Sequence, residues 1–417
     1  MILKKWEKFD KVLLIEPNFP IPNKSLNHKD FLPIGLLKLA SYLKNEGVEI
    51  QLNRLDDTFQ SNIDQFNFQP DTIFITSLFT YWSEYVKNAV NFCRLKFPNS
   101  KVVVGGIYAS LMPDHCKEYT GCDEVFVGIC EKAEKFQPDY SLVDVDYQII
   151  HASRGCIRKC ACCGVYEIEP EFKFKKSIKS EVFSRKIVFY DNNLLANPYI
   201  KDILLELVEL KKRRTILNCE SQSGFDGRIL LKHPDLGILL KKANFVNPKI
   251  AWDGPVSDSD DIKRQVDILV NSGYKSKEIS VFMLYNHDLS FEEMEKKRIF
   301  CWEWNVQISD CRYRPLDQTY DNYNPYTKKP QSNEDYYIHP QWDDKLIRTF
   351  RSNIRKQNIC IRQDTLFYSA DIERKRVSKT IAAKCKKMKF NDAKIHIKDA
   401  WDPDVIHYEI NDAKIAK

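Results

Sequence analysis

The chain has 417 residues, of which 43% are hydrophobic and 29% charged, with a formal net charge of +6; it can bury a substantial core and favours two or three globular domains. No stretch approaches the roughly 20 apolar residues of a membrane span, and "MILKKWEKFDKVLLIEP" lacks the apolar run and cleavage site of a signal peptide, so a cytoplasmic protein without a membrane partner is expected. The mild basicity permits an anionic partner without demanding one, and thirteen cysteines in a reducing compartment are expected as thiols whose clusters point to metal or redox chemistry.

In chain order, the runs "KVLLIEP", "VEIQLN", "DTIFITSLF", "KVVVGG" and "DEVFVGI" read as strands, with helical patterns such as "GLLKLASYLKNEG" and "YVKNAVNFCRLKF" between them. Strands alternating with amphipathic helices predict an α/β, doubly wound (Rossmann-like) parallel sheet over residues 8–135. The turn-rich stretch around residues 136–146 reads as a linker. From Tyr147 a second alternation begins, with strands at "YQIIHAS", "KIVFYDN", "TILNCES", "KIAWDG", "ISVFMLYN" and "VQISD". Six strand–helix units over residues 147–310 predict a partial (β/α)6 barrel, whose chemistry lies at the carboxyl ends of the strands. Residues 311–417 form a carboxyl-terminal extension, with a long irregular stretch and then a basic helix at "DDKLIRTFRSNIRKQ".

After the first barrel strand comes "RGCIRKCACCG", Arg154 to Gly164. Cys156, Cys160 and Cys163 make a C-x3-C-x2-C spacing that lets three thiolates converge on one cluster and leaves one position without a protein ligand. Structural zinc takes four protein ligands, so a zinc site would have to recruit Cys162 or a distant residue. An iron–sulfur cluster with an incomplete ligand set has a place for a small molecule to coordinate.

Here the sequence resembles the radical S-adenosylmethionine superfamily over roughly residues 145–310. The resemblance implies a [4Fe–4S] cluster held by Cys156, Cys160 and Cys163, whose open iron chelates S-adenosylmethionine and cleaves it to a 5′-deoxyadenosyl radical, with electrons from an external flavodoxin- or ferredoxin-type donor. Cys162 stands where relatives commonly carry an aromatic residue, and is read as a small buried thiol. By location, Asp191, Asn192 and Asn193 after the second strand are candidates for the methionine amino group, or a helix cap. Glu220, Ser221 and Gln222 after the third strand, and Trp252 and Asp253 after the fourth, are candidates for S-adenosylmethionine or substrate, since a polar run at several strand ends is costly unless it binds something. The fifth strand, "VFMLYN", lacks the glycine that relatives place under adenine.

The amino-terminal segment resembles the cobalamin-binding domains joined to such cores. "FLPIGLLKLASYLKNEG", "VVVGGIYASLMP" and "CDEVFVGICEKA" match successive stations of that domain. The resemblance implies that Ser77, Leu78, Gly105 and Gly106 line a pocket for the nucleotide tail of cobalamin. No Asp-x-His-x-x-Gly loop occurs, and His28 and His115 lie in other contexts, so histidine ligation of cobalt is not expected. A retained scaffold without cobalamin is the other reading, because glycine turns occur at the switch point of any doubly wound sheet.

In the extension, Arg312 and Arg314 lie beside Tyr313, Tyr320 and Tyr323. Guanidinium forks recognise carboxylate or phosphate and tyrosines supply stacking surface, so this loop reads as a substrate lid or as a cover pinned by salt bridges. The run "RTFRSNIRKQNICIRQ" admits nucleic acid as a partner, but a solvated helix face is favoured. Cys301, Cys311, Cys360 and Cys385 admit an auxiliary cluster, but they lack a dense pair and are read as core thiols. The function expected is a cobalamin-dependent radical methyltransferase acting on an unactivated carbon. The alternatives are a non-methylating radical reaction (rearrangement, cyclisation or RNA modification) and a metal-binding interaction protein. The substrate is not named by the sequence.

Overall fold

The run KVLLIEP forms β1 (Lys11–Pro17), in which Val12, Leu13, Leu14 and Ile15 are all fully buried. Side chains covered on both faces mark an inner strand of a parallel sheet. The computed structural model describes residues 10–21, 32–56, 60 and 67–403. Residue 8, where the first domain was expected to begin, and Phe31 and His28 lie outside the described residues. The chain forms two compact units: residues up to Asn192 with Arg314–Tyr323 and Asn333–Tyr337, and then Asn193–Tyr313 with Asn324–Ser332 and the residues from Ile338 onward.

In the first unit, α1 (Ile34–Asn45) follows β1 and leads to β2 (Glu49–Leu55) and β3 (Thr72–Ser77). Next come α2 (Ser83–Lys96), β4 (Lys101–Gly106), α3 (Ile107–Leu111), α4 (Pro113–Thr120) and β5 (Glu124–Val125). The strands are all parallel in the order β2-β1-β3-β4-β5. That is the doubly wound topology expected, with its switch point between β1 and β3. The two-residue period of β1 divides the core: Val12 and Leu14 pack with α1, whereas Leu13 and Ile15 pack with Val86 of α2 and Tyr108 of α3. The stretch read as a linker lies along α1 through Lys44–Asp139 at 2.6 Å, and Glu134 just before it pairs with Lys38 at 2.8 Å. Beyond it, β6 (Gln148–Ile150) enters a short antiparallel pair, β7 (Ser153–Arg154) with β8 (Lys173–Phe174), and then pairs in parallel with β9 (Lys186–Phe189). The cysteine loop and a one-turn helix, α5 (Val165–Ile168), lie between β7 and β8.

The second unit runs α6 (Ile200–Lys212), β10 (Asn218–Ser221), α7 (Gly227–Lys232), α8 (Asp235–Lys242), β11 (Lys249–Ala251) and α9 (Ser259–Asn271). It continues through β12 (Ser280–Tyr285), α10 (Phe291–Glu303), β13 (Gln307–Arg312) and α11 (Asp344–Gln363). All six segments expected as strands from Tyr147 onward are strands, and β11, β12 and β13 form one parallel sheet in that order. In α6, Ile203, Leu204, Leu207 and Leu210 make the buried stripe. A buried polar cluster joins α10 to α11: Arg298 pairs with Glu295 at 2.9 Å and donates to Gln357 at 2.6 Å. Removing one member of such a buried pair costs about 3–5 kcal/mol. No helix among the described residues is long and apolar enough to cross a membrane.

Candidate functional site

The cysteine loop is set by the residues around it. Gly155 has φ +76°, and a Cβ there would stand 2.4 Å from the Glu171 carbonyl oxygen, so only glycine fits between Arg154 and Cys156. Glu169 closes the loop from the far side. Its carboxylate accepts from the Gly155 amide at 2.6 Å, pairs with the Arg154 guanidinium at 3.0 Å and reaches the Asn192 amide at 3.4 Å. Arg154 also meets His151 Nε2 at 2.8 Å. Burial pushes the His151 pKa well below its ordinary value, so the neutral ring accepts from the guanidinium.

Within the loop, the Arg158 amide donates to the Cys156 sulfur at 3.3 Å, and the Cys163 amide donates to the Cys160 carbonyl at 3.1 Å. Cys156 and Cys163 are half-buried and Cys160 is exposed. Cys162, expected to be buried, is half-buried, because it sits in the same surface turn. Among the described residues, no group of three or more His, Cys, Asp or Glu side chains forms a ready-made metal shell. The donor set still fits an iron–sulfur cluster: three solvent-reachable thiols on one loop, one of them already accepting the kind of amide hydrogen bond that tunes cluster sulfur. By contrast Cys219 and Cys360 are buried and their thiol pKa values are pushed up to about 12 by desolvation. Cys301 and Cys385 are buried as expected, but Cys311 is exposed, because it lies on β13 at the edge of its sheet.

Asp191 is fully buried and accepts from the Ala152 amide at 3.1 Å, the Ser153 amide at 2.5 Å and the Ser153 hydroxyl at 2.6 Å. It thereby fixes the chain entering the cysteine loop. In the second unit, the Asn193 amide donates to Asp226 at 3.0 Å, which orients the side chain and leaves its Oδ1 buried with no hydrogen-bond partner among the described residues. An orphaned buried acceptor is costly until a donor arrives, and an ammonium group of a bound ligand is such a donor.

The other strand-end residues divide by environment. Glu220 accepts from Lys249 at 3.2 Å, and the Lys249 side chain is 1% exposed. Ser221 donates to the Gly224 carbonyl at 2.9 Å and closes a turn, with Gln222 half-buried within it. Trp252 is 1% exposed, stacked on Trp304, with its indole N–H on the Pro255 carbonyl at 3.0 Å. Asp253 is exposed. Sequence reasoning missed Lys297, which is fully buried and donates to the carbonyls of Trp252 and Gly254 at 2.8 and 2.9 Å, bracketing Asp253. A lysine inside a charged helix gives no sign of that reach.

At the carboxyl edge of the five-stranded sheet, Ser77 donates to the Gly105 carbonyl at 2.8 Å and accepts from the Ala109 amide at 3.1 Å. Leu78 packs on the core and its carbonyl accepts from the Tyr108 amide at 2.9 Å. Gly106 has φ +103°, and a Cβ would meet the Ser77 carbonyl at 2.2 Å, so this glycine is required by strand crossing alone. Gly105 is different: its Cβ would make ordinary contact with Phe126 at 3.6 Å, so the fold does not demand glycine there. A residue left bare where the fold tolerates a side chain fits close approach of a ligand to the backbone. His115 bonds Tyr108 at 2.7 Å and stacks on Tyr119.

Arg312 and Arg314 fall in different units. Arg312 is buried at the end of β13. Arg314 pairs with Asp321 at 2.6 Å and lies 4.5 Å over the Tyr81 ring, so its fork is held within the first unit.

With these geometries in place, comparison with known proteins bears on the first unit. Residues 28–135 match the B12 binding domain family. The first unit therefore carries a domain of the B12 binding type. The cytidylyl-2-hydroxyethylphosphonate methyltransferase of Streptomyces wedmorensis is 23% identical over 198 residues, covering 42% of this chain. The match spans 36% of that relative's length, about a third.

Proposed function

We propose that this chain is a cobalamin-dependent radical S-adenosylmethionine methyltransferase that alkylates an unactivated carbon. The observation that carries the reading is the succession, in one chain, of a B12 binding domain and the "RGCIRKCACCG" loop. Similarity to a methyltransferase supports the transfer outcome. When bound, a [4Fe–4S] cluster supplies an electron for cleavage of S-adenosylmethionine and a corrinoid supplies a transferable methyl group.

The chain's own part is to hold and orient. Cys156, Cys160 and Cys163 would hold the iron, with Glu169 and Gly155 fixing where their loop begins. Asn193 would accept from the amino group of S-adenosylmethionine, and Glu220, Ser221, Gln222 and Asp253 would contact that cofactor or the substrate. Ser77, Leu78, Gly105 and Gly106 would face the corrinoid tail. Residues 147–310 would serve as the radical core barrel, with an external flavodoxin- or ferredoxin-type protein as electron donor.

The test is anaerobic reconstitution with iron, sulfide and hydroxocobalamin, followed by incubation with S-adenosylmethionine and a low-potential reductant such as titanium(III) citrate, and assay for 5′-deoxyadenosine and S-adenosylhomocysteine. Both products are expected. 5′-Deoxyadenosine alone would replace methyl transfer by another radical reaction, and neither product from iron-loaded protein would remove the enzyme reading.

A further inference from the structure

A cavity of about 280 Å³ opens in the first unit beside the amino end of α2. Its walls are Ser83, Glu84 and Tyr85 of α2, Tyr81 just before it, His115 and Tyr119 of α4, and residues 319–322. All of these belong to the first unit. The returning segment is fixed there by the Ser83 hydroxyl, which donates to the Thr319 carbonyl at 2.9 Å, and its two pieces are joined by the Tyr320 hydroxyl, which donates to the Asn333 carbonyl at 2.6 Å. The volume matches about nine waters, enough for a small molecule rather than a polymer. No reading above uses it.

We infer that this cavity binds a small organic cation, of the substituted-ammonium class. Four of its ten lining residues are tyrosines and two are carboxylates, Glu84 and Asp321, while neither lysine nor arginine lines it. The basic side chain on that wall is His115, whose ring is bonded to the Tyr108 hydroxyl at 2.7 Å. Ring faces attract cations through their quadrupole, most strongly where water is displaced.

The chain already uses this property beside the cavity. The Lys87 ammonium lies 4.2 Å over Tyr119, and the Arg314 guanidinium 4.5 Å over Tyr81. Arg314 is offset by Asp321 at 2.6 Å. Tyr85 and Tyr320 are 37% and 40% exposed, and among the described residues no cation of the chain stands over either ring. Those two rings line the cavity together with Glu84, which is exposed in the first turn of α2. Glu84 also offsets the partial positive charge of the helix end, which would otherwise oppose a cation.

The inference does not depend on the proposed reaction, and its test needs no cofactor. Binding of choline to the full chain is compared with binding of 3,3-dimethyl-1-butanol, its uncharged isostere, by calorimetry and ligand-observed NMR. Choline should bind at least tenfold more tightly. Glu84→Gln and Tyr85→Leu should each weaken choline at least fivefold and leave the isostere unchanged, whereas Tyr85→Phe should retain binding. Both positions are exposed, and unchanged circular-dichroism melts will show that the variants fold. Equal affinity for the two probes, no binding of choline, or choline binding untouched by the two weakening substitutions would each overturn the assignment. So would binding of cytidine or glucose in preference to choline.

Discussion

Asp191 shows how much one buried carboxylate decides. Its three donors favour the ionised form, but desolvation is larger and raises its pKa from 3.8 to about 6. A carboxyl group whose pKa is higher folded than unfolded binds its proton more tightly in the native state, so its contribution is present at low pH and lost as pH rises from about 4 through about 6. The urea stability of the wild type relative to Asp191→Asn should therefore fall by roughly 3 kcal/mol across that window; a pH-independent difference would contradict it. Two adjacent glycines separate fold from ligand in the same way. Gly106→Ala should destabilise the protein by at least about 2 kcal/mol, because both φ and the Ser77 carbonyl forbid a side chain. Gly105→Ala should keep the thermal midpoint within a few degrees and reduce hydroxocobalamin uptake several-fold in equilibrium dialysis. Uptake equal to wild type would remove Gly105 from the corrinoid site.

The hairpin of β7 and β8 is the element that makes the cysteines a loop. It holds only two residue pairs, so the clamp from Glu169 must supply most of its definition. Glu169→Ala should lower iron bound per chain after reconstitution by at least half with an unchanged far-ultraviolet spectrum, and Glu169→Gln should fall between, since it keeps the acceptor for Gly155 but not the charge for Arg154. Full iron loading in Glu169→Ala would count against the clamp. Such a short pair leaves no periodicity, which is why the sequence shows the cysteine spacing but not its support. The longer elements were readable because burial imposes a period: β1 and β12 as apolar runs, α6 and α11 as stripes. The helices α7 and α8 were not anticipated, since Pro234 and Gly237 interrupt their pattern. Lys249 and Lys297 were equally invisible, because a lysine declares its charge in the sequence and not the buried oxygen it meets.

Over the whole molecule, net charge is a poor guide to partners once the pairings are known. In the basic helix α11, Arg348 is held by Asp344 at 2.8 Å and Gln331 at 2.8 Å, Arg355 by Glu373 at 2.5 Å, and Arg362 by Gln307 at 3.0 Å. Guanidinium groups already occupied release few counterions on meeting phosphates. Mobility-shift assays with a 20-nucleotide RNA or a DNA duplex at 150 mM salt should therefore show no complex at micromolar protein; a stable, salt-sensitive complex would revive the nucleic-acid reading.

The return of residues 314–323 and 333–337 to the first unit also sets a clock. A ribosome adding roughly 5–20 residues per second needs on the order of ten seconds to pass from Asn192 to Tyr337. Throughout that interval the sheet and its helices exist as nascent chain, while Ser83 awaits the Thr319 carbonyl and the tyrosines of α2 and α4 face solvent uncovered. A fragment ended at Asn192 is this waiting species made permanent, and the chaperone dependence of the full protein during synthesis would be concentrated in those seconds.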